Sequence, residues 1–310
     1  MARPFRFGVS VRRGQNRREW QQKARRAEAL GYSSFLVPDH LVDILPPLVP
    51  LVSAAEAAET LRVGTFVLNN DLRHPALVAR DAAAIDLLTD GRFELGLGAG
   101  HMEPEYDEIG LRFDPARVRV ERLGESVAII KELLAGAEVT FAGAHYTLTR
   151  HRLHPTPVQK PRPPLLIGGN SGPLLTLAAR EADIVSFVGF SHRRGGRAFD
   201  LHAFTDAGTE ERATIVRQVA GDRFPRLELN AVVQQVTVSG SPRRAAEEFA
   251  RDSPLRVDDV LSSPYVLIGS LDAIAEAVLE KRERHGFSYW VVFEDSMDAF
   301  APVVSRLAGS

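Results

Sequence analysis

An acid and a base stand side by side where a short apolar run of the chain ends. The run 33–37 stops at Pro38, and Asp39 and His40 follow it. Histidine exchanges protons near neutral pH, and a carboxylate beside it can orient the ring. Adjacency alone is more typical of a turn in which the aspartate caps the next segment. If the run is a strand of a parallel barrel, its C-terminal end is where catalytic side chains lie, and proton transfer becomes the favoured interpretation.

Three other segments have compositions that fit a bound ligand. Residues 168–172 contain three glycines before a predicted helix, where an anionic group could approach the helix N-terminus. The small residues of 96–100 would leave room above a strand end, and the consecutive polar residues 69–71 are typical of a bulge. Each pattern also has a structural explanation: a tight turn with a helix cap, close packing of a helix on a strand, and a solvated loop.

Apolar runs of strand length alternate with segments of helical periodicity along the chain. The predicted strands are 5–11, 33–38, 61–68, 92–98, 165–167, 183–188, a stretch within 227–238, and 287–293. Most are nearly continuous apolar runs, which indicates burial on both faces, as in a parallel sheet. A count of eight favours a closed (β/α)8 barrel over an open doubly wound sheet, and no Gly-x-Gly-x-x-Gly fingerprint follows the first strand.

Capping residues mark the ends of the predicted helices. Asn16 with Glu19 resembles an N-cap pair, and Gly31 is placed as a C-cap. Asp114 is the predicted N-cap of the fourth helix, with Pro115 at its first position. That helix carries one apolar stripe, formed by Ala116, Val120, Leu123, Val127, Ile130 and Leu134. Other helices are predicted at about 51–60, from 75 to about 90, at 173–181, and from Pro242 and Ser270.

Residues 138–164 interrupt the alternation. The runs 139–141 and 146–148, joined through Gly143, predict a small hairpin. The five prolines of 155–164 then predict an extended surface run. Because the alternation resumes at once, we predict a single domain, 1–310, with this segment inserted between the fourth helix and the fifth strand.

The composition excludes several kinds of site. The 310 residues are 45% hydrophobic and 25% charged, and their formal net charge of −2 gives no reason to expect nucleic acid or membrane as a partner. The absence of cysteine excludes disulfides, thiolate metal sites and cysteine nucleophiles. The N-terminus lacks the apolar core of a signal peptide, so a cytoplasmic protein is expected.

Metal and serine chemistry find little support in the sequence. No His-Glu-x-x-His or Gly-x-Ser-x-Gly motif is present. The acidic residues of 103–108 are interpreted as a polar loop rather than as metal ligands. We therefore predict no metal site.

Several motifs, in their order and spacing, resemble the luciferase-like family, especially its branch that depends on the deazaflavin F420. They are Asp39-His40, Leu-Arg-His-Pro-Ala-Leu at 72–77, Leu-Leu-Thr-Asp-Gly-Arg-Phe-Glu-Leu-Gly-Leu-Gly at 87–98, and Pro-Pro-Leu-Leu-Ile-Gly-Gly at 163–169. The resemblance covers nearly the whole chain. It implies a TIM-barrel oxidoreductase that holds a flat ring at the C-terminal mouth of the barrel.

The resemblance also implies roles for individual residues. His40 would donate or accept the proton near the reacting carbon, and Asp39 would contact the deazaflavin. Thr65 to Asn69, including Leu68, would form a bulge behind the ring, with a non-proline cis peptide bond. The remaining cofactor-binding residues are predicted to be Ala99 and Gly100 along the ring, and Gly168, Gly169, Asn170, Ser171, Gly172 and Leu174 around its phosphate.

Two features depart from the better-known relatives: the residue at position 101, and the loop 41–50 after His40, which is short and covers less of the mouth from that side. His101 stands where the related sugar-phosphate dehydrogenases have a glutamate, which argues against sugar-phosphate oxidation and makes His101 a second candidate for proton handling. The basic segment 190–207, with His192, Arg193, Arg194 and Arg197, is interpreted as a lid or as a clamp on the cofactor's acidic tail; a solvated loop is the alternative. By similarity to the family, a homodimer is expected.

The favoured function is hydride transfer between F420 and a small organic substrate, with His40 handling the proton. The alternative within the family is an FMN-dependent monooxygenase served by a partner reductase. From other classes, a ligand-binding barrel without activity and a metal-dependent barrel hydrolase are also considered.

Overall fold

Eight parallel strands close into a barrel. The computed structural model describes residues 3–192, 199–251 and 253–310. The barrel strands are β1 (Arg6–Ser10), β2 (Ser34–Val37), β3 (Arg62–Thr65), β4 (Phe93–Gly98), β5 (Leu165–Gly168), β6 (Ile184–Val188), β7 (Glu228–Val233) and β8 (Phe287–Phe293). Each strand pairs with the next along the chain, and β8 pairs with β1. The predicted (β/α)8 barrel is therefore confirmed.

Helices surround the barrel, as their apolar stripes predict. They are α1 (Arg17–Ala29), α2 (Leu48–Glu56), α3 (Pro75–Leu88), α4 (Glu103–Glu108), α5 (Ala116–Leu134), α6 (Gly172–Glu181), α7 (Asp206–Ala220), α8 (Pro242–Ala250), α9 (Val257–Ser262), α10 (Leu271–His285) and α11 (Met297–Leu307). In α1 the Asn16 side chain accepts the Glu19 amide at 3.0 Å, and Gly31 follows the last turn with φ +84°. Ser270 caps α10 in the same way, through the Ala273 amide. Among the described residues, no helix is both long and apolar enough to cross a membrane.

Alternate strand residues build two separate apolar layers. One face of each strand packs against the helices in the main core, which includes Phe7, Phe35 and Leu97. The opposite face fills the barrel, where Leu36, Leu166, Ile184, Tyr289 and Val291 form a smaller cluster. Strands buried on both faces explain the near-continuous apolar runs in the sequence.

Charged side chains close the N-terminal end of the barrel. Glu94 accepts Arg6 and Arg62, each at 2.7 Å, and Arg6 also binds Glu228 at 2.7 Å. Although burial alone would raise it, the two guanidinium groups hold the pKa of the Glu94 carboxyl below its usual range. This end of the barrel is thus a closed polar floor.

The structure corrects several predicted boundaries. Helix α5 begins at Ala116 with Pro115 as its N-cap, so the prediction of Asp114 as the cap is wrong. The Asp114 carboxylate instead pairs with Arg122, nearly two turns into the helix. Helix α2 begins at Leu48, three residues before the predicted position, with Pro47 as its N-cap. The acidic segment 103–108 is the helix α4 and not a loop.

The inserted segment has the predicted form. Glu138–Ala142 pairs antiparallel with Thr147–Arg152, and the extended proline run leads from this hairpin to β5. The Glu125 carboxylate accepts three backbone amides of the turn, those of Ala144, His145 and Tyr146. Of the predicted lid 190–207, residues 193–198 lie outside the described residues, which include a short antiparallel pair, Ser191–His192 with Phe199–Asp200.

Candidate active site

The third strand breaks at the mouth of the barrel. It stops at Thr65 and resumes at Leu68–Asn69, which pairs with Leu97 and Gly98 of β4. The Thr65 hydroxyl bridges the gap, since it donates to the Gly96 carbonyl at 2.9 Å and accepts the Gly96 amide at 2.8 Å. The peptide bond between Phe66 and Val67 is cis, as the resemblance implies.

The bulge presents two apolar side chains to the mouth. Phe66 and Val67 are half-buried and pack on the inner cluster of the barrel, whereas the flanking Thr65 and Leu68 are each only 1% exposed. A flat ligand lying on this end of the barrel would therefore rest on Phe66 and Val67. Thr65 and Leu68 were also predicted as cofactor-binding residues. They lie beneath that surface and support it.

Asp39 anchors the bulge to the second strand. Its carboxylate accepts the Asn69 amide at 3.0 Å and both terminal nitrogens of Arg73. Asp39 is only 4% exposed, so the protein itself engages both oxygens. The predicted contact between Asp39 and a cofactor stays a prediction. The structure shows that this residue positions the surface on which a cofactor would lie.

His40 is held by a glutamate that sequence reasoning placed in a loop. Its Nδ1 lies 2.9 Å from Oε1 of Glu105, which also accepts the Leu41 amide at 3.1 Å. Glu105 is 3% exposed, while 28% of the His40 side chain remains accessible. A carboxylate on Nδ1 fixes the tautomer, so Nε2 is the nitrogen left to exchange a proton. Asp39, although adjacent in sequence, is not the partner of His40.

His101 approaches His40 from the end of β4. The two ring centroids are 5.3 Å apart, and the rings are nearly perpendicular at 87°. His101 is exposed, so it stands on the solvent side of His40. The structure thus brings together the two histidines that the sequence analysis named as candidates for proton exchange, although they are sixty-one positions apart.

A tyrosine and an arginine fix the backbone between β4 and α4. The Tyr106 hydroxyl donates to Asn69 at 3.0 Å and to Asp71 at 3.1 Å, and burial together with the Asp71 carboxylate raises the pKa of Tyr106. Gly100 has φ +75°, and a Cβ there would collide with the Tyr106 hydroxyl. Arg119 of α5 donates to the carbonyls of Ala99 at 3.1 Å and Gly100 at 3.3 Å. Glu105, Tyr106 and Arg119 are site residues that sequence reasoning missed.

The predicted phosphate segment joins the end of β5 to the start of α6, and β5 is the neighbour of β4. The Asn170 side chain donates to the Val188 carbonyl at 2.8 Å and accepts from Arg212, so it ties the segment to β6. The N-cap Ser171 makes no side-chain bond to the first turn, and a Cβ at Gly172 would meet nothing within 4 Å. The amides of the first helical turn have no partner within a helix, so those of Gly172 and Leu174 could receive an anionic group.

The site residues named from the sequence fall into two groups. His40, His101, Ala99, Gly100 and the bulge lie at the ends of β2, β3 and β4, while Gly168 to Gly172 and Leu174 lie at the end of β5, the strand that pairs with β4. Among the described residues, no group of three His, Asp or Glu side chains could hold a metal ion. The mouth of the barrel thus presents a partly accessible histidine whose Nδ1 is bound by a buried carboxylate.

Comparison with known proteins identifies the family of this chain and agrees with its fold. A family model described as luciferase-like monooxygenase matches residues 1–213. An F420-dependent glucose-6-phosphate dehydrogenase of Microbacterium testaceum is 36% identical over 166 residues, which are 51% of this chain and 48% of the dehydrogenase. A 4-hydroxyprotoasukamycin monooxygenase of Streptomyces nodosus subsp. asukaensis is 28% identical over 304 residues, 90% of this chain and 79% of the monooxygenase. The match thus spans about half the length of the dehydrogenase.

A solved structure has the same fold over the entire chain. The F420-dependent tetrahydromethanopterin reductase of Methanopyrus kandleri superposes with a TM-score of 0.75 at 16% identity, covering 98% of both chains. At this identity the likeness concerns the barrel alone. Because the family model matches 213 of 310 residues, this chain belongs to the luciferase-like monooxygenase family.

Proposed function

We propose that this protein is an F420-dependent oxidoreductase that transfers a hydride between F420 and a small organic substrate, with His40 exchanging the proton. The observation that carries the proposal is the pair of His40 and the buried Glu105 at the open end of the barrel, 2.9 Å apart. The F420-dependent dehydrogenase among the relatives supports the choice of cofactor.

The residues present fit a deazaflavin. Phe66 and Val67 would lie under the ring, and the backbone of Ala99 and Gly100 would run along it. The first-turn amides of α6, which have no acceptor within the helix, would bind the phosphate of the cofactor. Asn170 would contribute through its backbone, because its side chain is already engaged.

When bound, F420 would supply the chemistry of two-electron hydride acceptance or donation. His40 would take the hydroxyl proton of an alcohol whose carbon loses a hydride, or return that proton to the oxygen in the reverse reaction. Because Nδ1 faces Glu105, Nε2 performs this exchange. Glu105 acts as a positioning residue, and its carboxylate stabilises the imidazolium formed when His40 takes the proton. His101 lies close enough to His40 to relay the proton to solvent.

The second candidate is an FMN-dependent monooxygenase with a partner reductase. The relative from Streptomyces nodosus, whose name is that of a monooxygenase, matches 90% of this chain and favours this alternative. A homodimer and a cytoplasmic location remain predictions of the same kind.

A comparison of cofactor affinities separates the two candidates. We expect the purified protein to bind F420 at least about tenfold more tightly than FMN, a difference of about 1.4 kcal/mol. Titrations followed by the absorbance or fluorescence of each cofactor measure both dissociation constants. Tighter binding of FMN, followed by oxygen consumption with a reductase, would replace the proposal by the monooxygenase.

Replacing the Glu105 carboxylate by an amide tests how His40 is positioned. With Glu105→Gln we expect kcat to fall on the order of 10²-fold, because a neutral amide neither fixes the Nδ1 proton nor stabilises the imidazolium. The dissociation constant of F420 should change less than about threefold, since the Glu105 carboxylate is buried and its oxygen contacts the His40 ring and the Leu41 amide. Single-turnover reduction or oxidation of bound F420 measures the rate.

The same short helix offers a matched control. Glu103 and Glu108 also belong to α4 but are exposed. Glu103→Gln and Glu108→Gln should leave kcat unchanged, and Glu105→Asp should recover part of the lost activity. A rate for Glu105→Gln equal to that of the wild type would exclude the positioning role.

A further inference from the structure

Two polar groups at the end of β1 are not used by the described part of the chain. The Ser10 hydroxyl is buried, at 1% exposure of the residue, and makes no hydrogen bond within the described residues. A buried hydroxyl without a partner costs about 1–3 kcal/mol, so a ligand that binds it would relieve that cost. The Arg12 guanidinium makes no ion pair with any described carboxylate. It lies over the Phe293 ring, with its Cζ atom 4.7 Å from the ring centroid.

Both groups are directed toward the mouth of the barrel. Alternate residues of a strand share a face, and on β1 that inner face holds Arg6, which binds Glu94 within the barrel floor. Gly8 shares this face, because a Cβ there would lie 2.5 Å from the Ser34 hydroxyl oxygen. Ser10 is the next residue on the same face. It therefore points inward at the upper end of the barrel.

The Arg12 guanidinium lies above the same opening. Phe293 pairs with Ser10 across β1 and β8, and it follows Tyr289 and Val291 on the face that fills the barrel. A guanidinium stacked on the Phe293 ring therefore lies over the barrel interior. Glu294, the residue after Phe293, makes its contacts with other groups. Its carboxylate accepts the Arg12 backbone amide at 3.2 Å and the Lys23 ammonium at 2.7 Å.

This position is opposite the predicted phosphate segment. In the closed ring of eight strands, β1 is four strands from β5, which leads into α6. It is also the immediate neighbour of β2, the strand that ends near His40. A cofactor whose phosphate lies at α6 thus leaves the β1 side, next to His40, for the substrate.

We propose that Arg12 and Ser10 bind a carboxylate of the substrate, so that the enzyme acts on an organic acid. The inference rests on the proposed function for the location of the substrate. A guanidinium presents two parallel N–H donors that match the two oxygens of a carboxylate, and the serine hydroxyl supplies a third donor. Stacking on Phe293 orients the guanidinium plane before the ligand arrives.

The test uses simple probes and reads binding without the reaction. Ligand-observed NMR would measure the dissociation constants of butyrate, its neutral analogue butyramide, and inorganic phosphate. The wild-type protein would be used first without F420 and then saturated with it. We expect butyrate to bind about tenfold or more tightly than butyramide, and Arg12→Gln to remove that advantage. Ser10→Ala should weaken the binding of butyrate by a smaller factor, and Arg12→Lys should retain part of the affinity for butyrate.

Arg13 provides the matched control for Arg12. It is the next residue, its side chain is 71% exposed, and it faces Asp43. Arg13→Gln should bind butyrate as the wild type does. Equal binding of butyrate and butyramide, or wild-type binding by Arg12→Gln, would overturn the inference. Tighter binding of phosphate than of butyrate would replace the carboxylate by a phosphate ester.

The F420 arm separates this inference from the proposed function. If Arg12→Gln weakens F420 itself about tenfold, Arg12 belongs to the cofactor site and the inference is wrong. If the wild type fails to bind F420 but binds butyrate through Arg12, the cofactor assignment is wrong and the anion site stands. If F420 binds and butyrate does not, the proposed function stands and the substrate class is wrong.

Discussion

His40→Ala is expected to lower kcat by about 10²–10⁴-fold, the usual contribution of a positioned acid or base. In the proposed function the imidazole is the proton-exchanging group, and its Nδ1 is already bound to Glu105. Its removal leaves the hydride-transfer geometry intact but leaves no group on the protein to take or give the proton. The dissociation constant of F420 should stay within a few-fold of that of the wild type. Single-turnover kinetics with bound F420 and a fluorescence titration measure the two quantities.

Two histidine variants serve as controls for His40→Ala. His151 is exposed on the inserted hairpin, and His151→Ala should have wild-type kinetics. The kcat of His101→Ala should lie between those of His40→Ala and His151→Ala, because His101 would exchange protons with the substrate only by way of His40. A kcat for His40→Ala within about threefold of the wild type would remove His40 from the mechanism, whatever the cofactor proves to be.

The order of strands and the principal caps could be predicted because local signals carry them. Asn16 and Ser270 cap their helices as their spacing indicates, and β2 ends at Val37, just before Pro38 and the pair Asp39-His40. The closure of eight strands followed from counting apolar runs. These features depend on residues close together in the chain, which is what periodicity and capping rules describe.

The partner of His40 could not be predicted from such signals. Asp39 is adjacent in sequence but turns toward Arg73 and the Asn69 amide, while Glu105 reaches His40 from α4. The segment 103–108 has the composition of a solvated loop, and only the packing of α4 across the barrel mouth buries one of its carboxylates. A polar residue acquires such a role through a tertiary contact, and no local pattern distinguishes Glu105 from Glu103.

The later part of the chain shows the same limit. The predicted seventh strand, within 227–238, divides in the structure: β7 lies in the barrel, while Gln235–Val238 pairs with Val266–Gly269 outside it. Both pieces are apolar enough to be strands. Which of them joins the barrel depends on pairing with β6 and β8. The helices α7, α9 and α11 were also not predicted; Thr205 caps α7, whereas no side chain caps α9 or α11.

The closed floor of the barrel should carry stability without contributing to turnover. Glu94 is buried between Arg6 and Arg62, and Glu94→Gln removes the only carboxylate that pairs with Arg62 among the described residues. Breaking a buried ion pair from one side costs about 3–5 kcal/mol. Since both arginines keep some contact with solvent, we expect about 3 kcal/mol, measured as the change in the free energy of unfolding by urea.

The dependence of this effect on pH follows from the direction of the shift. The pKa of Glu94 is lowered in the folded protein, so its contribution is fully present above the unfolded value of about 4.3 and is lost as the pH falls through the folded value. The difference between the wild type and Glu94→Gln should therefore be largest near neutral pH and shrink in acid. Glu138→Gln, on the exposed hairpin, should show no such difference.

Turnover by the folded fraction of Glu94→Gln should equal that of the wild type. Glu94 and His40 lie at opposite ends of the barrel, and the inner apolar cluster of Leu36, Leu166 and Tyr289 separates them. In this fold the chemistry lies at the C-terminal ends of the strands, and the N-terminal ends serve stability. A loss of kcat in Glu94→Gln without a loss of stability would mean that the charge of Glu94 influences the reaction at the C-terminal end of the barrel. The separation of the two ends, and with it the assignment of the site, would then have to be abandoned.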